Sequence, residues 1–391
     1  MPSPAGKLAA RGGEASPLLP VKGKGSVQGK GTVQSKGMRG AIPAAIAIFA
    51  AAWPGRRRRR RWARTVPAAV AIFAAAWAAA ACASEGGGLG LRLGHDQPDG
   101  HPYHLAVERF TEGVREATEG ELDIRIFPAA QLGDSPEQIE GLYLGTLDMS
   151  LVAFSHASQF CRELGLFGVP FLFEDEAHFA AVFDGEVGAL LDEACRQRYS
   201  IRLLATFTSG YRMLFNSRRP VERVADLSGL KIRVMGGEAD ALTWQIFGAI
   251  PVPMPYSEVY SALQAGVIDG AENEPASILS NKFYEAAPYV APTEHLVLPM
   301  GLFISESAFE RLPAEVRAIL RQEAREAAVW QRDFMSERNA AALAEMQERF
   351  GVEVTGLDPA GLREGSRQIQ DRVARDLGLQ ELLEKVRAAA R

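Results

Sequence analysis

Arg233 lies near the end of the stretch Leu230-Lys231-Ile232-Arg233-Val234, in which apolar residues alternate with Lys231 and Arg233. Period-two alternation predicts a strand, and Met235-Gly236-Gly237 predicts its end before a helix over Glu238–Phe247. An arginine at the carboxyl end of a strand in an α/β sheet stands where such sheets bind ligands. Its planar fork matches a carboxylate in bidentate contact. The plainer alternative is a surface ion pair, the commoner fate of a strand-end arginine. Other chemistry-bearing residues point to less. His101 and His104, spaced as His-Pro-Tyr-His, lack a third ligand for a metal and suit a helix start, so no metal site is expected. Cys161 has no base beside it in sequence. There is no His-Glu-x-x-His, no phosphate-binding Gly-rich loop ending in Lys-Ser/Thr and no Gly-x-Ser-x-Gly, so neither catalysis nor a cofactor is expected.

The elements that would position Arg233 alternate between strand and helix from Leu89 onward, which predicts an α/β architecture. Leu91–Gly94, His104–Ala117 and Leu122–Phe127 read as a βαβ unit. Leu142-Tyr143-Leu144-Gly145-Thr146-Leu147-Asp148 is echoed by Leu263-Gln264-Ala265-Gly266-Val267-Ile268-Asp269. Each reads as a helix that ends at a C-cap glycine and turns into a strand. The matching order of elements around the two copies predicts two related lobes, with a cleft between them suited to binding. Lobe I is expected over residues 84–209 plus 298–335 and lobe II over 210–297 plus 336–391. Ser209-Gly210 is a candidate hinge, and a second crossover is expected near Leu298–Gly301. The charged helical stretch from Leu312-Pro313 to about Arg349 predicts a brace behind both lobes. Trp244 and Phe247 share one helical face and are expected in the core.

With 391 residues, 47% hydrophobic and a net charge of −5, the chain suits two globular domains and offers no basic balance for nucleic acid. Positive charge is local: the arginine run Arg56–Arg61 and Arg64 precede an apolar stretch, Val66–Ala81, in the order of a secretory signal. That stretch is about 16 residues, short of the roughly 20 that span a bilayer. Residues 1–65 are therefore expected to be a low-complexity extension and basic segment outside the mature protein, and 66–83 the signal core and cleavage site. Cys82 is a candidate for lipid attachment, while Ala81-Cys82-Ala83 also fits ordinary cleavage. The repeat of Pro43–Trp53 as Pro67–Trp77 suggests a true start at Met38 or later. Nothing in the sequence brings Cys161 and Cys195 together, so two buried free thiols are expected.

Several stretches taken together resemble one family. They are Phe127-Pro128-Ala129-Ala130-Gln131-Leu132-Gly133, Gly145-Thr146-Leu147-Asp148-Met149, Val169-Pro170-Phe171-Leu172-Phe173, Asp226–Val234, Tyr256–Gln264 and Val267–Asn273. In that order they resemble the DctP-type substrate-binding receptors of TRAP (tripartite ATP-independent periplasmic) transporters, over residues 90 to about 355. The resemblance implies a two-lobed periplasmic-binding-protein-like fold. It also implies a periplasmic receptor that delivers a small organic acid to membrane permease subunits. It assigns Arg233 to the ligand carboxylate and Arg212, Asn273 and Tyr256 to the same pocket. From lobe I it adds Asp96, Phe154 and Ser155. Some relatives carry an acid where this chain has Ala153-Phe154-Ser155. A C4-dicarboxylate is the default ligand the resemblance implies, with sugar acids the alternative. Asn273-Glu274-Pro275 leans toward a polyhydroxylated acid. A sensory receptor and an enzyme acting on a carboxylate are the competing functions.

Overall fold

In a computed structural model the described residues, 89–390, form two α/β lobes. The extension, the arginine run, the apolar stretch and Cys82 lie outside them. Lobe I opens with β1 (Leu89–Gly94), α1 (Pro102–Ala117) and β2 (Leu122–Phe127), the expected βαβ unit. His101 caps α1, its Nδ1 accepting from the Tyr103 amide at 3.1 Å, which is the helix-start role its position suggested. α2 (Ser135–Leu144) ends at Gly145 in the left-handed region, φ 69°, and leads into β3 (Met149–Ala153). All of β3 is buried, as suits a central strand covered on both faces. A short α3 (Phe154–Ala157), a 3-10 segment (Arg162–Gly168), α4 (Glu176–Asp184) and α5 (Glu186–Tyr199) follow. β4 (Ile201–Tyr211) closes the first passage.

The chain crosses at Arg212 into lobe II. There β5 (Met213–Asn216), β6 (Lys231–Val234), α6 (Glu238–Ile246), β7 (Ile250–Pro253), α7 (Val259–Gln264), β8 (Gly270–Asn273), α8 (Pro275–Ser280) and β9 (Tyr289–Ala291) build the second sheet. After α7 the turn at Gly266 has φ 68°, matching the turn at Gly145. Trp244 and Phe247 are buried edge to face in this core.

The chain returns through β10 (Val297–Ser305), which pairs antiparallel with both β3 and β4 and completes the order β2-β1-β3-β10-β4. The second crossover therefore falls at residues 292–296. Leu298–Gly301, where it was expected, lies inside lobe I because β10 is hydrogen-bonded on both edges. After α9 (Glu306–Glu310), α10 (Ala314–Phe350) runs 37 residues and ends at Gly351, φ 67°. Its buried residues Val316, Leu320, Ala324, Ala327, Gln331 and Met335 recur at helical spacing on one stripe. Gln331 is fully buried, its amide donating to Thr208 O at 2.8 Å and accepting from Thr208 N at 2.9 Å, so it serves β4 as one more ladder partner. Further along, Asn339 donates to Ser209 O at 3.0 Å and accepts from Ala276 N at 3.1 Å, tying the end of β4 to α8. The long helix thus braces both lobes. β11 (Glu353–Val354) then completes the order β11-β9-β5-β8-β6-β7.

Two further expectations need correction. After α11 (Ala360–Arg363), helices α12 (Ser366–Leu377) and α13 (Gln380–Ala388), expected in lobe II, dock on lobe I. Ile369, Val373, Leu383 and Val386 complete the apolar cluster of Leu191 and Phe173, and His178 Nε2 lies 2.8 Å from Val386 O. Cys161 and Cys195, expected as free thiols, form a disulfide with Cα atoms 5.3 Å apart. The 3-10 segment after Cys161 packs against α5, which brings the two sulfurs together.

Candidate functional site

The cleft between the lobes is built around Arg233. In β6, Ile232 faces the core while Arg233, on the opposite face, is 2% exposed although no carboxylate among the described residues pairs with it. Its Nε donates to Met254 O at 3.1 Å, just past β7, and its guanidinium lies 5.7 Å from the centre of the Tyr256 ring. Nη2 is buried without a partner. Burial pulls this guanidinium below its usual value, and Glu272 opposes that. A buried cation with an open donor edge calls for an anion.

Arg212, at the crossover, is the opposite case. Burial alone would lower its pKa, but Glu272 and then Glu274 drive it well above the usual value. Nη2 donates to Glu272 Oε1 at 2.9 Å and to Glu272 O at 2.7 Å, Nε also donates to Glu272, and Nη1 donates to Glu274 Oε2 at 2.9 Å. Most of its donors are committed within the protein. The antiparallel pairing of β5 with β8 sets this arrangement, with Leu214 opposite Glu272 and Met213 opposite Asn273. Asn273 donates to the Tyr256 hydroxyl at 3.1 Å.

From lobe I, Asp96 follows β1 and accepts from Ser135 Oγ at 2.8 Å and from Gln97 Nε2 at 3.2 Å. Burial pushes its carboxyl up. Tyr103 and His156 also line the cavity, and Tyr103 OH and His156 Nδ1 have no partner. Burial, then Arg233 and Arg212, holds the His156 imidazole down at about 3, so it is neutral near pH 7. Across the cleft, side-chain hydrogen bonds join the lobes: Asn281 to Gln97 at 3.1 Å, Ser257 to Asp134 at 2.6 Å, Ser155 to Asp240 at 3.2 Å and His101 to Ser277 at 2.9 Å.

The structure brings Arg233, Arg212, Asn273, Tyr256 and Asp96 around one cavity. It does not bring Phe154 and Ser155 there. α3 begins at Phe154 and turns about 100° per residue, which sends three neighbours in three directions. Phe154 enters an aromatic cluster with Phe167, Phe183 and Phe303, Ser155 meets Asp240, and His156 faces the cavity. Gln97, Tyr103, His156 and Met300 were missed as lining residues. The apolar run Leu151–Phe154 was a signal that Phe154 belongs to the core, but nothing local marked His156.

Comparison with known proteins agrees with the two-lobed fold. Residues 93–376 match the family model for bacterial extracellular solute-binding protein, family 7 (DctP). The 2,3-diketo-L-gulonate-binding periplasmic protein YiaO of Escherichia coli is 34% identical over 289 residues, covering 73% of this chain and 88% of that protein. Among solved structures, a TRAP periplasmic solute-binding protein from Chromohalobacter salexigens with bound D-glucuronate is 31% identical with a TM-score of 0.73, covering 76% of this chain and 99% of that one. The sugar acid binding protein DctPAm from Advenella mimigardefordensis, in complex with galactonate, is 27% identical with a TM-score of 0.72, covering 77% and 97%.

Proposed function

The chain belongs to the bacterial extracellular solute-binding proteins of family 7, whose members are periplasmic receptors of TRAP transporters, and on that premise we propose that it captures a sugar acid such as a uronate or aldonate. The carboxylate docks on the free edge of Arg233, and the ligand hydroxyls meet polar groups of both lobes. The acid passes unchanged to membrane permease subunits. The observation that carries this reading is the unpartnered Nη2 of Arg233, buried at the cavity wall beside Tyr256 and Asp96. Tyr103 OH and His156 Nδ1 supply open hydrogen-bonding atoms. A buried polar group without a partner costs about 1–3 kcal/mol, and the hydroxyls of a sugar acid can both donate and accept where a C4-dicarboxylate only accepts. The relatives with bound galactonate and D-glucuronate support a sugar acid over that default. Asn273 and Tyr256 hold the pocket wall, and Arg212 fixes β5 against β8 rather than gripping the carboxylate.

A thermal-shift screen of residues 84–391 against D-glucuronate, galactonate, succinate and D-glucose tests this. A ligand at about 100 times its Kd adds roughly 2.7 kcal/mol, a shift of about 5 °C for a protein of this size. Shifts with the sugar acids and recovery of unaltered acid after long incubation are expected. A shift only with succinate or D-glucose would overturn the reading.

A further inference from the structure

We propose that Glu274 sets the charge capacity of the pocket, so that it accepts an acid with one carboxylate and rejects one with two; this rests on the sugar-acid reading above. Glu274 is fully buried at the start of α8, its backbone placed by Pro275 at the first helical position. One carboxylate oxygen accepts from Arg212 Nη1 at 2.9 Å and the other from Ser277 Oγ at 2.5 Å. Ser277 in turn meets His101 Nε2 at 2.9 Å. His101 Nδ1 accepts the Tyr103 amide, so Nε2 carries the proton and the imidazole is neutral. It therefore brings no charge to balance Glu274.

Glu272 already engages Arg212 through both carboxylate oxygens, which is a full counter-charge. Glu274 is surplus to that pair. With Arg212, Arg233, Glu272 and Glu274 ionised, the buried site sums to zero. One ligand carboxylate on Arg233 leaves a single net negative charge, and a second leaves two. Burial raises the carboxyls of Asp96 and Asp240, the other acids beside these arginines, and so holds them toward their neutral forms; it raises that of Glu274 too, but there the direct contact with Arg212 opposes it. Charges within several ångströms in a water-poor site repel strongly enough to decide between such ligands. An acid whose far end carries hydroxyls meets no such penalty. Without the Glu274 charge, a dicarboxylate would leave the same single negative charge that a monocarboxylate leaves in the native site.

D-Glucuronate and D-glucarate test this, because the far carbon is a ring hemiacetal carbon in the first and a second carboxylate in the second. The native protein should prefer D-glucuronate by at least about a hundredfold by calorimetry, and Glu274→Gln should cut that preference about tenfold or more. Glutamine keeps the shape, with its oxygen toward Arg212 and its amide toward Ser277. Glu274→Ala should shift the ratio in the same direction, and retained D-glucuronate binding reports that either variant is folded. An equal affinity of the native protein for both acids, or an unchanged ratio in both variants, overturns the role of Glu274 alone. If the native protein binds no sugar acid at all, the sugar-acid reading fails and this inference fails with it.

Discussion

Replacing Arg233 by methionine removes the charge and the fork but keeps most of the volume that packs against Tyr256. This cation is 2% exposed and, among the described residues, holds one hydrogen bond, to Met254 O at 3.1 Å. Burying an unneutralised charge is costly, so its removal should leave the ligand-free Tm unchanged or higher. Ligand binding should respond in the opposite sense. Each hydrogen bond to a charged group contributes about 1.5–3 kcal/mol, and a bidentate carboxylate makes two, so a loss of about 3–5 kcal/mol follows. That corresponds to a rise in Kd of roughly a hundredfold to several thousandfold. In thermal shift, acid at about 100 times the native Kd then lies at or below the variant's Kd, and the stabilisation of roughly 2.7 kcal/mol falls to about 0.4 kcal/mol or less. Calorimetry gives the affinity itself. Arg233→Lys should also bind weakly, because a point charge cannot keep both the Met254 contact and a bidentate grip. Binding of a sugar acid by Arg233→Met within about threefold of native would refute the assignment. So would a loss of ligand-free stability large enough to show that Arg233 is chiefly structural.

Further outcomes follow from the same geometry. Burial, with Glu272 adding to it, raises the Asp240 carboxyl to about 7 from an ordinary 3.8, so between about pH 4 and 7 the native state keeps a proton the unfolded chain has lost. Its contribution to stability therefore falls as pH rises through that window. The Tm advantage of Asp240→Asn over native should grow from pH 5 to pH 8, and a constant gap would refute the cause. The neighbouring His156 and His295, lowered to about 3 and about 4, are neutral in the native state over the same range. Gly210 has φ 68° and an added Cβ would lie 2.5 Å from Asn339 Nδ2, whereas Gly266 has the same φ and open space around it. Gly210→Ala should cost about 1–3 kcal/mol by denaturant unfolding and exceed Gly266→Ala; equal costs would show that the Asn339 contact carries nothing. Tyr256→Phe removes the acceptor for Asn273 and Asn281 at 3.1 and 3.0 Å, and should lower stability by about 1–2 kcal/mol without abolishing sugar-acid binding. No change in Tm would show that those bonds are replaced by solvent.

Short-range signals carried far in this sequence. The paired glycine turns at Gly145 and Gly266 revealed two related lobes because a left-handed C-cap leaves a mark within a few residues. Period-two alternation placed Arg233 on the cleft side of its strand for the same reason. What depended on distant partners stayed hidden. The amphipathic pattern of α12 and α13 shows that each has an apolar stripe but not which lobe covers it. Whether Arg212 is free or committed depends on a strand register, Leu214 opposite Glu272, that no local pattern encodes. The exchange of His156 for Phe154 and Ser155 turned on where a four-residue helix starts, and tertiary packing settles that point.

The disulfide orders events in time. Cys161 and Cys195 are 34 residues apart, and closing a loop of that length withdraws about 4 kcal/mol of chain entropy from the unfolded state in the chain-entropy account. Thiols stay reduced in the cytoplasm and pair in oxidising compartments. For an exported chain, that increment is absent while the polypeptide must remain loose enough to thread a translocation pore. It arrives on the far side, where the clamped loop begins just beyond His156, which lines the cavity.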